Sequence, residues 1–198
     1  MTKTLIAMTA LAGAIAALSL TACGRPAVDA PQQTFQQVMQ NEIDIQADQL
    51  WNASGVVVDE TGEHSLTPET DAEWAEVRKA LQTLIAGADK LTTPGRPLVE
   101  PGGKIGDEGL ESVASPDWIR TALVEQRSQL LQHTASLKAV AGEALVAVDK
   151  RDLKAIDEIG ERLDAVCESC HETFWYPPSA REPGYKPPTL PANPPRAP

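Results

Sequence analysis

The sequence predicts an all-α protein with four main helices. Aromatic residues make up only 4% of the 198-residue chain, runs of β-branched residues are scarce, and Ala, Leu, Glu, Gln, Asp and Lys dominate its middle. This composition is typical of helical proteins. Apolar residues there recur at alternating spacings of three and four, as they do along the packing seam of a bundle. One domain with one sizeable core is therefore the simplest expectation.

The first helix is predicted over residues 34–51, and a loop follows over residues 52–66. Apolar positions form one broad face of the helix, although residues 41–45 blur the pattern. Ser-Gly and Thr-Gly pairs indicate the loop, within which the valines at 56–58 are a candidate extended piece.

The second and third helices each begin with a hydroxyl residue followed by proline. Thr67 and Pro68 are predicted to open the second helix, and Ser115 and Pro116 the third. A hydroxyl can cap free backbone amides, and proline fits the first helical position. In the third helix leucine recurs every seven residues, with a candidate break at Gly142.

A long connection rich in glycine and proline, residues 92–115, separates those two helices. The fourth helix is predicted to begin near Arg151, and its seam carries Cys167 and Cys170 on the core-facing side. Residues 177–198 contain nine prolines and predict an extended or disordered tail.

Residues 1–22 have the pattern of a bacterial export signal: Lys3 gives a positive flank, and an apolar stretch follows. The segment ends in Leu-Thr-Ala before Cys23, which resembles the lipobox of bacterial lipoproteins, whose cysteine is acylated and becomes the first residue. That resemblance implies lipidation of Cys23, and Gly24 after it implies the outer membrane. The alternative is an ordinary cleaved signal with an incidental cysteine.

The mature chain would begin with a tether over residues 23–33, and it is acidic. Loss of Lys3 with the signal changes the formal net charge from −11 to −12. This charge argues against nucleic acid or an anionic membrane surface as a partner and favours basic or neutral ones. Acylation of Cys23 would also account for the odd one of three cysteines.

Cys167, Cys170 and His171 form a C-x-x-C-H motif, which predicts covalent attachment of one haem c. Two residues between the cysteines let both sulfurs reach the vinyl groups of one porphyrin, and the adjacent histidine supplies the proximal iron ligand. Attachment takes place outside the bacterial cytoplasm, so the motif and the export signal support each other.

Three other roles compete for the two cysteines. A structural zinc site needs about four ligands, yet only the isolated His64 and His133 remain. A redox-active C-x-x-C is expected at a helix amino terminus in a βαβ unit, whereas this one lies at a helix carboxyl end. The third role is a plain disulfide in a structural lipoprotein, which a mass without added haem would establish.

A C-x-x-C-H motif near the end of the last of four helices resembles the class II cytochromes c, the cytochrome c prime family and its low-spin relatives. The resemblance covers about residues 34–176, and only the motif is strongly diagnostic. It implies an antiparallel four-helix bundle with the haem on the last helix and a homodimer through the first two helices. The chain departs from the family where a basic residue commonly follows the motif, since Phe174 and Trp175 stand there.

Met39 is the candidate sixth ligand to the iron, because it is the only methionine left after the signal is removed and lies early in the first helix. The low-spin relatives place their sulfur ligand there. A thioether favours ferrous iron and suits electron transfer. Met39 could instead be a core residue, and His133 is a second, less favoured ligand candidate.

Two functions follow from these alternatives. One is a membrane-tethered periplasmic electron carrier that exchanges single electrons with periplasmic or membrane redox proteins. The other is a five-coordinate haem protein that binds NO or CO at an open distal site. No Ser/His/Asp arrangement or phosphate loop is evident, so the sequence does not predict an enzyme.

Overall fold

The structure is a computed structural model that describes residues 32–177. The predicted export signal at 1–22, the lipidation site Cys23 and all but the first residue of the tail lie outside the described residues. Within them the chain is mostly helical, with one small two-stranded sheet. The helical class predicted from composition is confirmed in this part of the chain.

The first helical stretch has three consecutive pieces: α1 (Phe35–Val38), a π-helical segment (Met39–Asp44) and α2 (Ile45–Ala53). The Thr34 side chain accepts a hydrogen bond from the backbone of Gln37, whose side chain accepts one in return. The helix predicted here is confirmed. The residues that blurred its periodicity lie at the π-helical segment, where a turn holds more than 3.6 residues.

A β-hairpin follows, with β1 (Val56–Asp59) antiparallel to β2 (Gly62–Ser65). The predicted loop is therefore partly wrong, although its valines are extended as expected. Gly62 has a φ of 128°, which residues with a Cβ rarely adopt, and this glycine lets the chain reverse within the turn.

Helix α3 (Asp71–Leu91) begins later than predicted. Its cap is Thr70, which forms a capping box with Glu73, so the predicted start at Thr67 is wrong. The backbone N–H of Thr67 instead donates to the Ser65 hydroxyl, 3.2 Å away, within the turn that leads out of the hairpin.

The third predicted helix is two helices, α4 (Pro116–Glu125) and α5 (Arg127–Lys150). Ser115 caps α4 as expected. The break lies at Gln126, whose φ of −100° and ψ of 32° leave the helical region, and not at Gly142, where α5 continues. The turn-rich connection before α4 is confirmed, and it buries its own small apolar cluster with Ile119.

Helix α6 (Leu153–Phe174) starts close to the predicted position, with Asp152 as its cap. It packs against α5 and α2, while α3 packs against α5 and α2. These four helices enclose the main core. No helix within residues 32–177 is long and apolar enough to cross a membrane. The core contains the fully buried Leu50, Leu81, Leu84, Ile156 and Leu163.

Candidate functional site

The C-x-x-C-H motif lies in the last turns of α6 and borders a cleft. Residues three and four apart share one face of a helix, so Cys167, Cys170 and His171 are presented together. All three line a cleft of about 150 Å³. Both cysteines are half-buried free thiols, and Cys167 packs against the main core.

A second cleft, of about 300 Å³, lies beside the first. Met39, Asp44, Cys170 and His171 line both clefts, so the two spaces meet at the motif. The rest of the second lining is largely apolar. It includes Phe35, Leu98, Ile105, Ile119 and Leu123.

Met39 comes from the opposite end of the described chain to reach these clefts. It is the first residue of the π-helical segment and lies half-buried against the main core. The fold thus brings the candidate sixth ligand and the candidate proximal ligand His171 to shared cavities. Nothing in the positions of these two residues along the sequence predicted that they would lie together.

The two thiols are in a setting that keeps them protonated. Burial is the main cause that raises the pKa of Cys167 to about 12, and the carboxylates of Asp164, Asp44 and Glu168 add to it. Burial, together with Cys167, raises the pKa of Cys170 to about 12 as well. A redox-active cysteine needs a lowered pKa, so this setting disfavours the redox role. A neutral thioether carries no such burial penalty.

The imidazole of His171 is held in its neutral form. Burial lowers its pKa, and this outweighs the opposing pull of Glu168 and two aspartates. The ring makes an edge contact with Tyr176, with centroids 6.2 Å apart. The hydroxyl of Tyr176 donates to Glu168 at 3.0 Å. A neutral imidazole nitrogen is the form that binds a metal.

His133 is buried, with 5% of its surface exposed, and lines the first cleft from α5. Its Nε2 lies 3.1 Å from the hydroxyl oxygen of Thr173, and that hydroxyl donates to the carbonyl of Ser169. His133 must therefore be the donor at Nε2, which leaves its Nδ1 without a hydrogen-bond partner in the structure. This bond ties α5 to the motif-bearing end of α6.

The segment after the motif packs against the long connection that precedes α4. Phe174 is buried and makes an edge contact with His133. The N–H of Trp175 donates to the carbonyl of His171 at 2.7 Å, and the N–H of Ala114 donates to the carbonyl of Trp175 at 2.8 Å. Aromatic packing thus occupies the place where the class II family commonly has a basic residue.

Sequence reasoning missed an ion pair of which the carboxylate is buried. Glu42, in the π-helical segment, is 9% exposed, and its carboxylate lies 2.5 Å from the Nζ of Lys90 on α3. The two residues are 48 positions apart, so no local pattern could have paired them. A group of three or more His, Cys, Asp and Glu side chains placed to hold a metal ion is not present within residues 32–177.

Comparison of the chain with protein-family models, with curated proteins and with solved structures finds no match in any of the three.

Proposed function

We propose that the protein is an exported monohaem c-type cytochrome that carries single electrons in the periplasm, anchored to the outer membrane by a lipid on Cys23. The observation that carries the proposal is that Cys170, His171 and Met39 line both of two adjoining clefts. The packing of α2, α3, α5 and α6 around one core supports an antiparallel four-helix bundle like that of the class II cytochromes c.

The residues present fit a covalently attached haem. The two thiols and the imidazole lie on one helix face at the edge of the clefts. Both clefts are lined mainly by apolar side chains, as cofactor pockets usually are. When bound, the haem supplies an iron that alternates between the ferric and ferrous states.

The chain's own residues would hold and insulate that group. Cys167 and Cys170 would make its attachment irreversible, and His171 would bind the iron with its neutral nitrogen. The apolar walls exclude water, and Met39 offers a thioether that favours the ferrous form. The bond from His133 to Thr173 would hold α5 against the motif-bearing end of α6.

The rim of the site is acidic. Asp44, Asp164 and Glu168 are exposed and lie near Cys167, where they raise its pKa. With a formal net charge of −11 for the whole chain, this rim suits periplasmic or membrane redox proteins with a basic docking surface. It does not suit nucleic acid, and no enzymatic activity is proposed. The homodimer implied by the resemblance belongs to the same proposal.

The second cleft favours one alternative function. This largely apolar cleft of about 300 Å³ is lined in part by Met39. If Met39 packs and does not bind the iron, the sixth position would be open to NO or CO from this side.

Absorption spectra of the purified protein, made with a haem-attachment system, distinguish the two functions. The electron carrier is expected to show a sulfur-to-iron band, no carbon monoxide uptake and loss of that band in Met39→Leu. Leucine keeps the apolar volume and removes only the sulfur. A high-spin wild type that takes up carbon monoxide readily would replace the carrier with the gas-binding function. A mass without added haem would overturn both.

A further inference from the structure

The π-helical segment is the least expected feature of the fold. Well under 1% of residues in globular proteins are π-helical, and such segments occur frequently at functional sites. Here six residues, Met39–Asp44, adopt it. Met39 faces the clefts at its start, and Glu42 is buried near its end. The segment therefore joins the site to the interface with α3.

Gly87 on α3 allows this segment to approach closely. A Cβ built at Gly87 would lie 2.9 Å from the Cβ of Glu42, 3.0 Å from Cδ1 of Ile43 and 3.1 Å from the carbonyl oxygen of Glu42. Real Cβ atoms essentially never come as close as 2.9 Å. Any larger residue at position 87 must push the π-helical backbone away, because one of the contacts is with the backbone itself.

A partly buried ion pair holds the same turn against α3. Lys90, one turn after Gly87 on α3, donates to Glu42 at 2.5 Å and to the side chain of Gln33 at 3.0 Å. The Glu42 side chain is only 12% exposed. A carboxylate at such a position is costly to bury without a partner, so the pair fixes where the turn can sit.

We propose that Gly87 and the Glu42–Lys90 pair are positioning residues for Met39: they hold the π-helical turn against α3 and so present the Met39 sulfur toward the haem iron. The inference rests on the proposed function. It adds that the sixth ligand is set by contacts between the π-helical segment and α3.

Gly87→Ala is the direct test, and Gly142→Ala is its matched control. Both glycines are in helices, but a Cβ at Gly142 would meet nothing within 4 Å. We expect Gly87→Ala to keep its covalent haem and helical circular dichroism, to lose most of the sulfur-to-iron band and to show a lower midpoint potential. Gly87→Ala should also take up carbon monoxide, which the wild type is expected not to do, because Met39 would no longer compete for the iron. Gly142→Ala should match the wild type.

A Gly87→Ala protein with the wild-type band and no carbon monoxide uptake would overturn this inference and leave the proposed function intact. If Gly87→Ala does not fold, Lys90→Met is measured instead, and the same spectral changes are expected. An unchanged sulfur-to-iron band in Lys90→Met would overturn the inference. If Met39→Leu has the same spectrum as the wild type, both this inference and the Met39-ligated electron carrier are overturned. There would then be no iron–sulfur bond to position.

Discussion

The indole Nε1 of Trp51 donates a hydrogen bond to the carbonyl oxygen of Gly160, 3.1 Å away. This bond connects the end of α2 to α6 about two turns before Cys167. Trp51 also lines the first cleft. The packing of these two helices and the shape of the site are therefore coupled through one side chain.

Gly160→Ala is expected to destabilise the protein by about 1–3 kcal/mol through overpacking. A Cβ there would lie 3.1 Å from Cδ1 of Trp51. The higher helix propensity of alanine, about 1 kcal/mol, offsets only part of this cost. Urea denaturation measures the difference. Gly142→Ala, in open space, should be neutral or stabilising, and an equal response of the two variants would contradict the assigned contact.

Thr70→Ala is expected to cost about 1 kcal/mol of unfolding free energy, because it removes the capping box of α3. Thr67→Ala should cost clearly less, since Thr67 lies in the turn before the helix. Chemical denaturation of the two variants compares them directly. A larger loss for Thr67→Ala would restore the helix start that the sequence suggested.

Stability is expected to fall on acidification partly because of His133. Burial lowers the pKa of this residue from its ordinary value of 6.5, so the unfolded chain binds a proton more readily than the folded one. Stability contributed by the neutral ring is present above pH 6.5 and is lost as pH decreases below it. The slope is at most about 1.4 kcal/mol per pH unit.

His133→Gln isolates this contribution, since His171 remains in both proteins. Melting temperatures measured between about pH 8 and pH 5 should decrease less steeply for the variant than for the wild type. Parallel curves would show that the pKa of His133 is the same in the folded and unfolded states, and would contradict this prediction.

Covalent haem is expected to be attached through the two thiols, one bond to each. Cys167→Ala and Cys170→Ala should each lose one thioether, and the double variant should show no haem after denaturing electrophoresis. Glu168→Gln, an exposed change between the two cysteines, should retain it. Haem that stays bound in the double variant would contradict covalent attachment.

Cys23→Ala is expected to release the protein from the membrane fraction, because a single acylated residue would carry the anchor. Incorporation of labelled fatty acid into the wild type, and its absence in the variant, measure the modification itself. Unlabelled, soluble wild-type protein would favour the ordinary cleaved signal.

The sequence predicted those helix starts that depend only on residues adjacent in the chain. Ser115 and Pro116 start α4 because a cap and the residue after it suffice. Thr67 and Pro68 have the same pattern, but the competing bond to Ser65 and the capping box at Thr70 override it. A pattern of one or two residues cannot decide which of two capping residues, three positions apart, begins the helix.

The parts of the site that need the folded chain could not be predicted in this way. The C-x-x-C-H motif is contiguous, so its placement on one helix face follows from spacing. Glu42 and Lys90, and His133 and Thr173, are 48 and 40 positions apart. The π-helical turn depends on space that Gly87 leaves on a different helix.

The π-helical turn also changes how the first helical stretch can tolerate insertion and deletion. A π turn takes up about one residue more than an α turn, so removing one residue from it would restore continuous α-helix. The helix on either side would keep its orientation, because about five residues of a π turn sweep the same angle as about four residues of an α turn. The same deletion within α2 would instead rotate everything upstream by roughly 100°. The π-helical turn is therefore the place where the first helical stretch can lose a residue without changing which side chains face the site.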